Sequence, residues 1–201
     1  KPYLYKSKVY KRNDTATIEV DTLELSRLIL EGKNIRFEEL RCEEQKLTFN
    51  TLCQKLKEYI QIETFNQDTL KTLNLYNNTI GYNNADGILA DKNHFPGIDM
   101  VKFGENISVI HKRATFDHIS IFEVYEKTAE VFKDYYEYEE IQGTDRKKIE
   151  KIPEAAFREA IANALIHRAW DMDSQIKVSM FDDRIEIISP GGLPSGITED
   201  E

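Results

Sequence analysis

Cysteine is nearly absent: Cys42 and Cys53 are the two in 201 residues, eleven positions apart. That excludes a disulfide scaffold and points to reduced thiols rather than a cystine or a metal site. The four histidines, His94, His111, His118 and His167, do not cluster with them. No apolar run approaches the ~18 residues of a membrane span, and no signal-peptide pattern opens the sequence. A cytoplasmic location is therefore the expectation. Positive charge is in deficit: 27 Lys and Arg face 36 Asp and Glu, for a net charge of −9. A chain-wide basic surface for nucleic acid is excluded, and any such surface has to be local. No G-x-x-x-x-G-K-[ST] P-loop occurs, which excludes P-loop NTPase chemistry. Proline is rare, yet two of the five fall with three glycines inside residues 189–196.

What is present suffices for a core. Hydrophobic residues make up 40 %, with ten Phe and ten Tyr, and the length suits one or two domains. The first residue is Lys and the last three are acidic, just past a Gly-rich turn, so a piece of a longer protein is expected.

The aromatic run PYLYKSKVYKR suits a strand and TATIEV another. A helix follows, capped by Asp21 or Thr22, with Leu25, Leu28 and Ile29 as its stripe and Gly32 as its stop. Between Leu47 and Asp91, Thr48 is expected to cap a helix with Phe49, Leu52, Leu56 and Ile60 inward. Asp68 or Thr69 caps a second, and the Asn- and Gly-rich NNTIGYNNADGILADKN reads as turn. Helix, helix, turn and apolar segment in that order resemble a winged helix-turn-helix, with a small helical subdomain as the alternative. The segment in the recognition position, residues 69–77, holds a single lysine, Lys71, which is poor for phosphate contacts. IDMVKFG and ISVIHKR read as two strands around Gly104-Glu105-Asn106. A long amphipathic helix is expected from Ile119 to about Glu140, then a charged linker, Gly143–Lys151.

The best-defined helix is Ile152 to about Arg168. Pro153 suits its first position and Glu154 its first-turn dipole. Glu159, Asn163 and His167 at i, i+4 and i+8 form a polar row on one side. Phe157, Ala160, Ile161, Ala164 and Leu165 lie to one side of the row, and Ala155, Ala162 and Ile166 to the other. Such a row is either buried and hydrogen-bonded to sheet carbonyls or faces a site. Arg168 is expected in a surface salt bridge and Trp170 in the core. A β-hairpin follows: Ile176, Val178 and Met180, a turn at Asp182-Asp183, then Ile185 and Ile187 inward. It leads into the loop at Ser189-Pro190-Gly191-Gly192-Leu193-Pro194. Glu159 could orient or deprotonate a water, and Asn163 offers a neutral oxygen to Mg²⁺. A backbone without Cβ at Gly191 and Gly192 can approach a base or a phosphate.

REAIANALIHR followed by IKVSMFDDRIEIISPGGLPSGIT resembles the C-terminal domain of a bacterial and archaeal family of transcriptional regulators. The family is described as RecG-like or ATP-dependent DNA helicase-related, and its domain is related to the GHKL ATP-binding fold of gyrase, histidine kinases and MutL. PYLYKS and EVDTLELSRLILEGKNIRFEEL are similar to the end of the Schlafen-type, Alba-like DNA-binding domain that precedes it. The resemblance implies an α+β chain in three parts. Residues 1–40 would be the end of the Schlafen/Alba-like domain, 41–115 a helical, winged-helix-like middle, and 116–201 a divergent GHKL-like two-layer domain. It implies a cofactor set of ATP and Mg²⁺, with Glu159 activating water, Asn163 ligating Mg²⁺ and His167 extending the row. Ser189, Gly191 and Gly192 would lie in the first glycine box near adenine. Three departures stand out. Ser189 or Pro190 occupies the place of the adenine-reading Asp. HRAW, with Ala169 and Trp170, replaces HRDY. The residues given stop before a second glycine box or ATP lid. The function implied is a DNA-associated transcriptional regulator with a nucleotide-binding domain. A non-catalytic interaction or dimerisation module, and an active Mg-dependent ATPase, are the alternatives. DNA, a nucleotide and a second copy are the partners implied. Helicase activity is rejected for want of a P-loop.

Overall fold

The computed structural model describes residues 2–13, 16–142 and 145–192. The chain divides into two compact units, Lys1–Leu40 and Arg41–Glu201.

In the first unit β1 (Tyr3–Tyr5), β2 (Lys8–Asn13) and β3 (Ala16–Glu19) form an antiparallel meander. The aromatic run expected as one strand is a hairpin. Lys6 and Ser7 both take positive φ, 46° and 65°, as a tight primed turn requires. The helix α1 (Thr22–Lys33) is capped by Asp21, whose carboxylate accepts the Glu24 N–H at 2.8 Å. It passes through Gly32 and ends at Asn34, which is left-handed at φ 55°. Asn tolerates that conformation because its short side chain bonds locally. A single 3-10 turn, Phe37–Glu39, follows. Val20 is the one buried apolar side chain of this unit among the described residues.

The second unit opens with helices α2 (Asn50–Tyr59) and α3 (Gln67–Thr72), the ribbon β4 (Tyr76–Asn77) and β5 (Gly81–Tyr82), and helix α4 (Asn84–Leu89). Thr48 does not cap α2. The carboxylate of Asp91 does, accepting the N–H groups of Asn50 and Thr51 at 2.9 Å each. Asn66 caps α3 in place of Asp68 or Thr69. The stretch expected as pure turn contains α4, which begins in a reciprocal capping box between Asn83 and Asp86. Phe49, Leu52, Leu70, Leu75 and Ala90 form the core of this helical region.

Next come β6 (Ile98–Phe103), β7 (Ile110–Phe116), α5 (Ile121–Tyr136), the hairpin β8 (Glu137–Gln142) and β9 (Asp145–Glu150), α6 (Glu154–Ile166), β10 (Ile176–Met180) and β11 (Ile185–Ile188). The four-stranded sheet has the order β11-β10-β6-β7, with β10 parallel to β6 and the outer pairs antiparallel. Helices α5 and α6 pack on one face. Ile98, Met100, Ile176, Val178 and Met180 meet Phe132, Tyr136, Phe157, Ile161 and Leu165 there. Phe132 and Phe157 stack with centroids 4.3 Å apart. Each such side chain stabilises by about 1.5–3 kcal/mol on burial. At the head of β6, a Cβ on Gly97 would lie 2.0 Å from the Phe116 carbonyl oxygen, so only glycine admits this strand contact.

The segment expected as a charged linker contains β9. It pairs antiparallel with β8, in a register that sets Tyr138 opposite Ile149 and Gln142 opposite Asp145. Helix α5 accordingly stops at Tyr136. The architecture is α+β: an N-terminal β-sheet, a helical middle and a mixed α/β sheet. Among the described residues no helix is long and apolar enough to cross a membrane.

Candidate functional site

Helix α6 is shorter at both ends than the periodicity predicts. Pro153 is its N-cap, and His167 its C-cap, donating its N–H to the Asn163 carbonyl at 3.0 Å. Phe157, Ile161, Ala164 and Leu165 are buried, and Glu159, Asn163 and His167 are exposed. The polar row therefore faces outward and is not buried against sheet carbonyls. Near its start Glu154 accepts from Arg158 at 2.5 Å and from Lys133 at 3.1 Å. These cations, Arg158 first, hold its carboxyl at about 2.

The loop after β11 is tied to the C-terminal end of α6. Ser189 Oγ donates to the Ala164 carbonyl at 2.9 Å. The Ala169 N–H donates to the Pro190 carbonyl at 2.8 Å. Gly191 sits at φ 135°, and a Cβ there would come within 3.3 Å of the Ala169 nitrogen and 3.4 Å of its Cβ. Conformation and space both favour glycine. Gly192 is exposed with nothing within 4 Å of a Cβ position. Leu193 and Pro194 lie outside the described residues. The Ser189 hydroxyl spends its one hydrogen on Ala164 and keeps acceptor capacity, which is what an exocyclic amine needs.

Arg168 does not make the expected surface salt bridge. It is 4 % exposed. Its Nη1 donates to the Pro96 carbonyl at 2.6 Å, and its Nη2 to the Ser174 carbonyl at 2.5 Å and more loosely to Met172 at 3.4 Å. The guanidinium lies 4.5 Å from the Trp170 ring centroid, a cation–π geometry. Desolvation pulls its pKa down from the usual arginine value, and the field of Asp117 opposes that. Trp170 is in the core as expected, edge-on to Phe95 at 5.8 Å. The sequence clue to Arg168 is only its place between a helix end and a tryptophan, because its partners at Pro96 lie 72 residues away.

On the sheet face opposite the helices, Asp99 is 4 % exposed. It accepts from Arg113 Nε at 2.7 Å and Nη2 at 2.9 Å, from Lys177 Nζ at 2.9 Å and from Thr115 Oγ1 at 3.2 Å. The Arg113 bonds, ahead of those from Lys177, hold its carboxyl down to about 2.

Among the described residues no group of three or more His, Cys, Asp or Glu is placed to hold a metal ion. Mg²⁺ keeps its waters and takes one or two protein oxygens together with substrate phosphates. One exposed amide, Asn163, one helical turn from one exposed carboxylate, Glu159, thus fits a Mg²⁺ delivered by a nucleotide and not a resident ion.

A mixed sheet with two helices on one face, and a glycine loop laid on the end of the second, define an α/β layer arrangement whose C-terminal region resembles a GHKL-type ATPase-related domain. Residues 173–201 match a family described as "Putative ATP-dependent DNA helicase recG C-terminal". No curated protein matches. Among solved structures, the DIP2311 protein from Corynebacterium diphtheriae superposes with a TM-score of 0.67 at 19 % identity, over 96 % of this chain. This chain spans 41 % of the length of that one, and the similarity at this identity is one of fold.

Proposed function

We propose that this chain is part of a DNA-associated transcriptional regulator whose C-terminal region binds ATP with Mg²⁺, without helicase activity. The observation that carries the reading is the bonding of the loop at Ser189 and Pro190 to the C-terminal end of α6, the helix that also bears the exposed Glu159 and Asn163. The family match over residues 173–201 supports it. In this reading residues 1–40 end a DNA-binding domain and 41–115 form a winged-helix-like middle. Residues 116–201, with β6 and β7 of the preceding region, carry the nucleotide.

Asn163 lends its amide oxygen to the Mg²⁺. Glu159, one turn N-terminal, orients a water. His167, where the helix ends, meets the phosphates. Ser189 accepts from the base, and Gly191 and Gly192 let it approach without a Cβ in the way. Bound Mg-ATP supplies the reactive phosphoanhydride and the charge neutralisation. A second reading is a non-catalytic interaction or dimerisation module, favoured by a serine in place of the adenine-reading aspartate.

Turnover and binding by the intact protein separate these readings. Saturable Mg-ATP binding and slow hydrolysis that disappears in Glu159→Ala supports an ATPase. Binding without turnover makes the domain a sensor. Turnover that survives Glu159→Ala removes Glu159 as the water-orienting group. Absence of binding leaves the interaction module. The DNA half rests on the resemblance of residues 1–40. A gel shift is expected to show binding by the intact protein but not by residues 1–201, which carry a net charge of −9.

A further inference from the structure

Arg168 is a buried cation whose protein acceptors are all carbonyls. Its Nη1 reaches Pro96, just before β6, and its Nη2 reaches Ser174, just before β10. One guanidinium therefore spans the entry points of the two parallel central strands. Gly97 closes the same junction by accepting the Ile176 N–H at 2.9 Å. The Arg168 Nε has no hydrogen-bond partner among the described residues. Burying a charge in this way is costly, and the planar fork is what lets a single side chain bind two separate backbone segments.

The next residue carries the consequence. The Ala169 N–H holds the Pro190 carbonyl, and its Cβ packs where Gly191 leaves room. We propose that Arg168 is a positioning residue for the candidate nucleotide site: it pins the turn after α6 to the sheet so that Ala169 presents a fixed donor to the glycine loop. The proposal rests on the nucleotide reading. Arg168 itself is buried and acts through Ala169. Without it the loop loses its seat, while Glu159 and Asn163, borne by α6, keep theirs.

The test compares wild type with Arg168→Lys and Arg168→Gln in the intact protein, far below the melting temperature of each. Amide hydrogen exchange at Ala169, without nucleotide, reads the anchoring. Exchange is expected to be fastest in Arg168→Gln and partly restored in Arg168→Lys, whose ammonium reaches one strand entry but not both. Mg-ATP affinity reads the consequence for the site. It should weaken about tenfold in Arg168→Gln, by loss of preorganisation, with partial rescue in Arg168→Lys. A lowered melting temperature with unchanged Ala169 exchange and unchanged affinity in the folded variants would make Arg168 merely structural and overturn the proposal. If wild type binds no Mg-ATP, the nucleotide reading fails by itself, and the exchange data still decide whether Arg168 anchors the turn. Should either variant fail to fold, Ala169→Pro, which removes the N–H and also fixes φ there and restricts Arg168 before it, must loosen the loop in the same way; wild-type affinity in that variant would refute the coupling.

Discussion

Two buried carboxylates show how differently the sheet and the helical middle treat charge. Asp99, on the sheet, is met by a bidentate arginine, a lysine and a threonine. Asp86, on α4, is fully buried, uses one oxygen to accept the Asn83 N–H at 2.9 Å, and leaves the other without a partner among the described residues. Asp99 is held at about 2, and burial pushes Asp86 up to about 7. Asp86 is the more strongly desolvated and has one neutral donor, whereas Asp99 is met by two cations that both bond and attract it, and together these set the opposite signs. The sheet also satisfies Lys102 with Asp182 at 2.6 Å, whereas the helical middle has a small apolar core and takes the cap of α2 from Asp91.

The largest effect tests whether the sheet and its two helices are the stable half. Phe132 is completely buried and stacked between Phe157 and Tyr136. Phe132→Ala should cost about 3–5 kcal/mol in urea unfolding. Leu70→Ala in the helical middle should fall near the lower end of the usual range, about 2 kcal/mol. Equal losses would erase the contrast.

Asp99→Asn comes next, at about 1–2 kcal/mol near neutral pH, discounted because Arg113 and Lys177 are themselves half exposed. The folded value lies below the ordinary 3.8. The stabilisation is therefore present above about pH 4 and is lost as pH falls towards about 2. Wild type and variant should converge in acid. A gap that stays constant with pH would remove ionisation as its cause.

Asp86 has the opposite sign. Its folded value lies above 3.8, so the folded state holds the proton longer and stability falls as pH rises from about 4 to about 7. Asp86→Asn should therefore stabilise at pH 8 by on the order of 1 kcal/mol, with the gain vanishing in acid. A variant less stable than wild type at pH 8 would show that Asp86 is ionised and partnered there. The smallest effect belongs to Glu154→Gln, whose ion pairs lie near the surface; a change within about 1 kcal/mol, reduced by salt, is expected.

What was legible in the sequence was local. The period of α6, the hairpin at residues 176–188 and the Asp21 cap all follow from neighbours in the chain. The outward direction of the polar row did not follow, because apolar residues lie on both sides of it, and only the fold shows that Ala155 and Ile166 are exposed along with the row. Long-range partners were not legible. The Asp91 cap on α2 joins residues 40 and 41 apart, and the parallel pairing of β10 with β6 leaves no mark on either strand. Arg168 looked like a surface residue because its acceptors are backbone carbonyls, which no side-chain pattern announces. Helix α4 was hidden by its composition: asparagine and glycine read as turn, while the Asn83–Asp86 capping box that starts the helix needs only two of those residues. For the candidate site, spacing singled out Glu159, Asn163 and His167 and the glycines marked the loop, the roles came only from the family resemblance, and the seating of Gly191 on Ala169 needed the fold.

The central claim is that the outward row on α6 and the glycine loop seated on its end form one nucleotide site. Calorimetric titration of Mg-ATP into the intact protein, wild type beside Asn163→Ala, tests it most directly, because Asn163 is exposed and its loss leaves the core of α6 untouched. Saturable heat for wild type and none for the variant, both equally folded, is the predicted result. No heat and no thermal stabilisation of wild type at millimolar Mg-ATP, or equal binding by the variant, would contradict it.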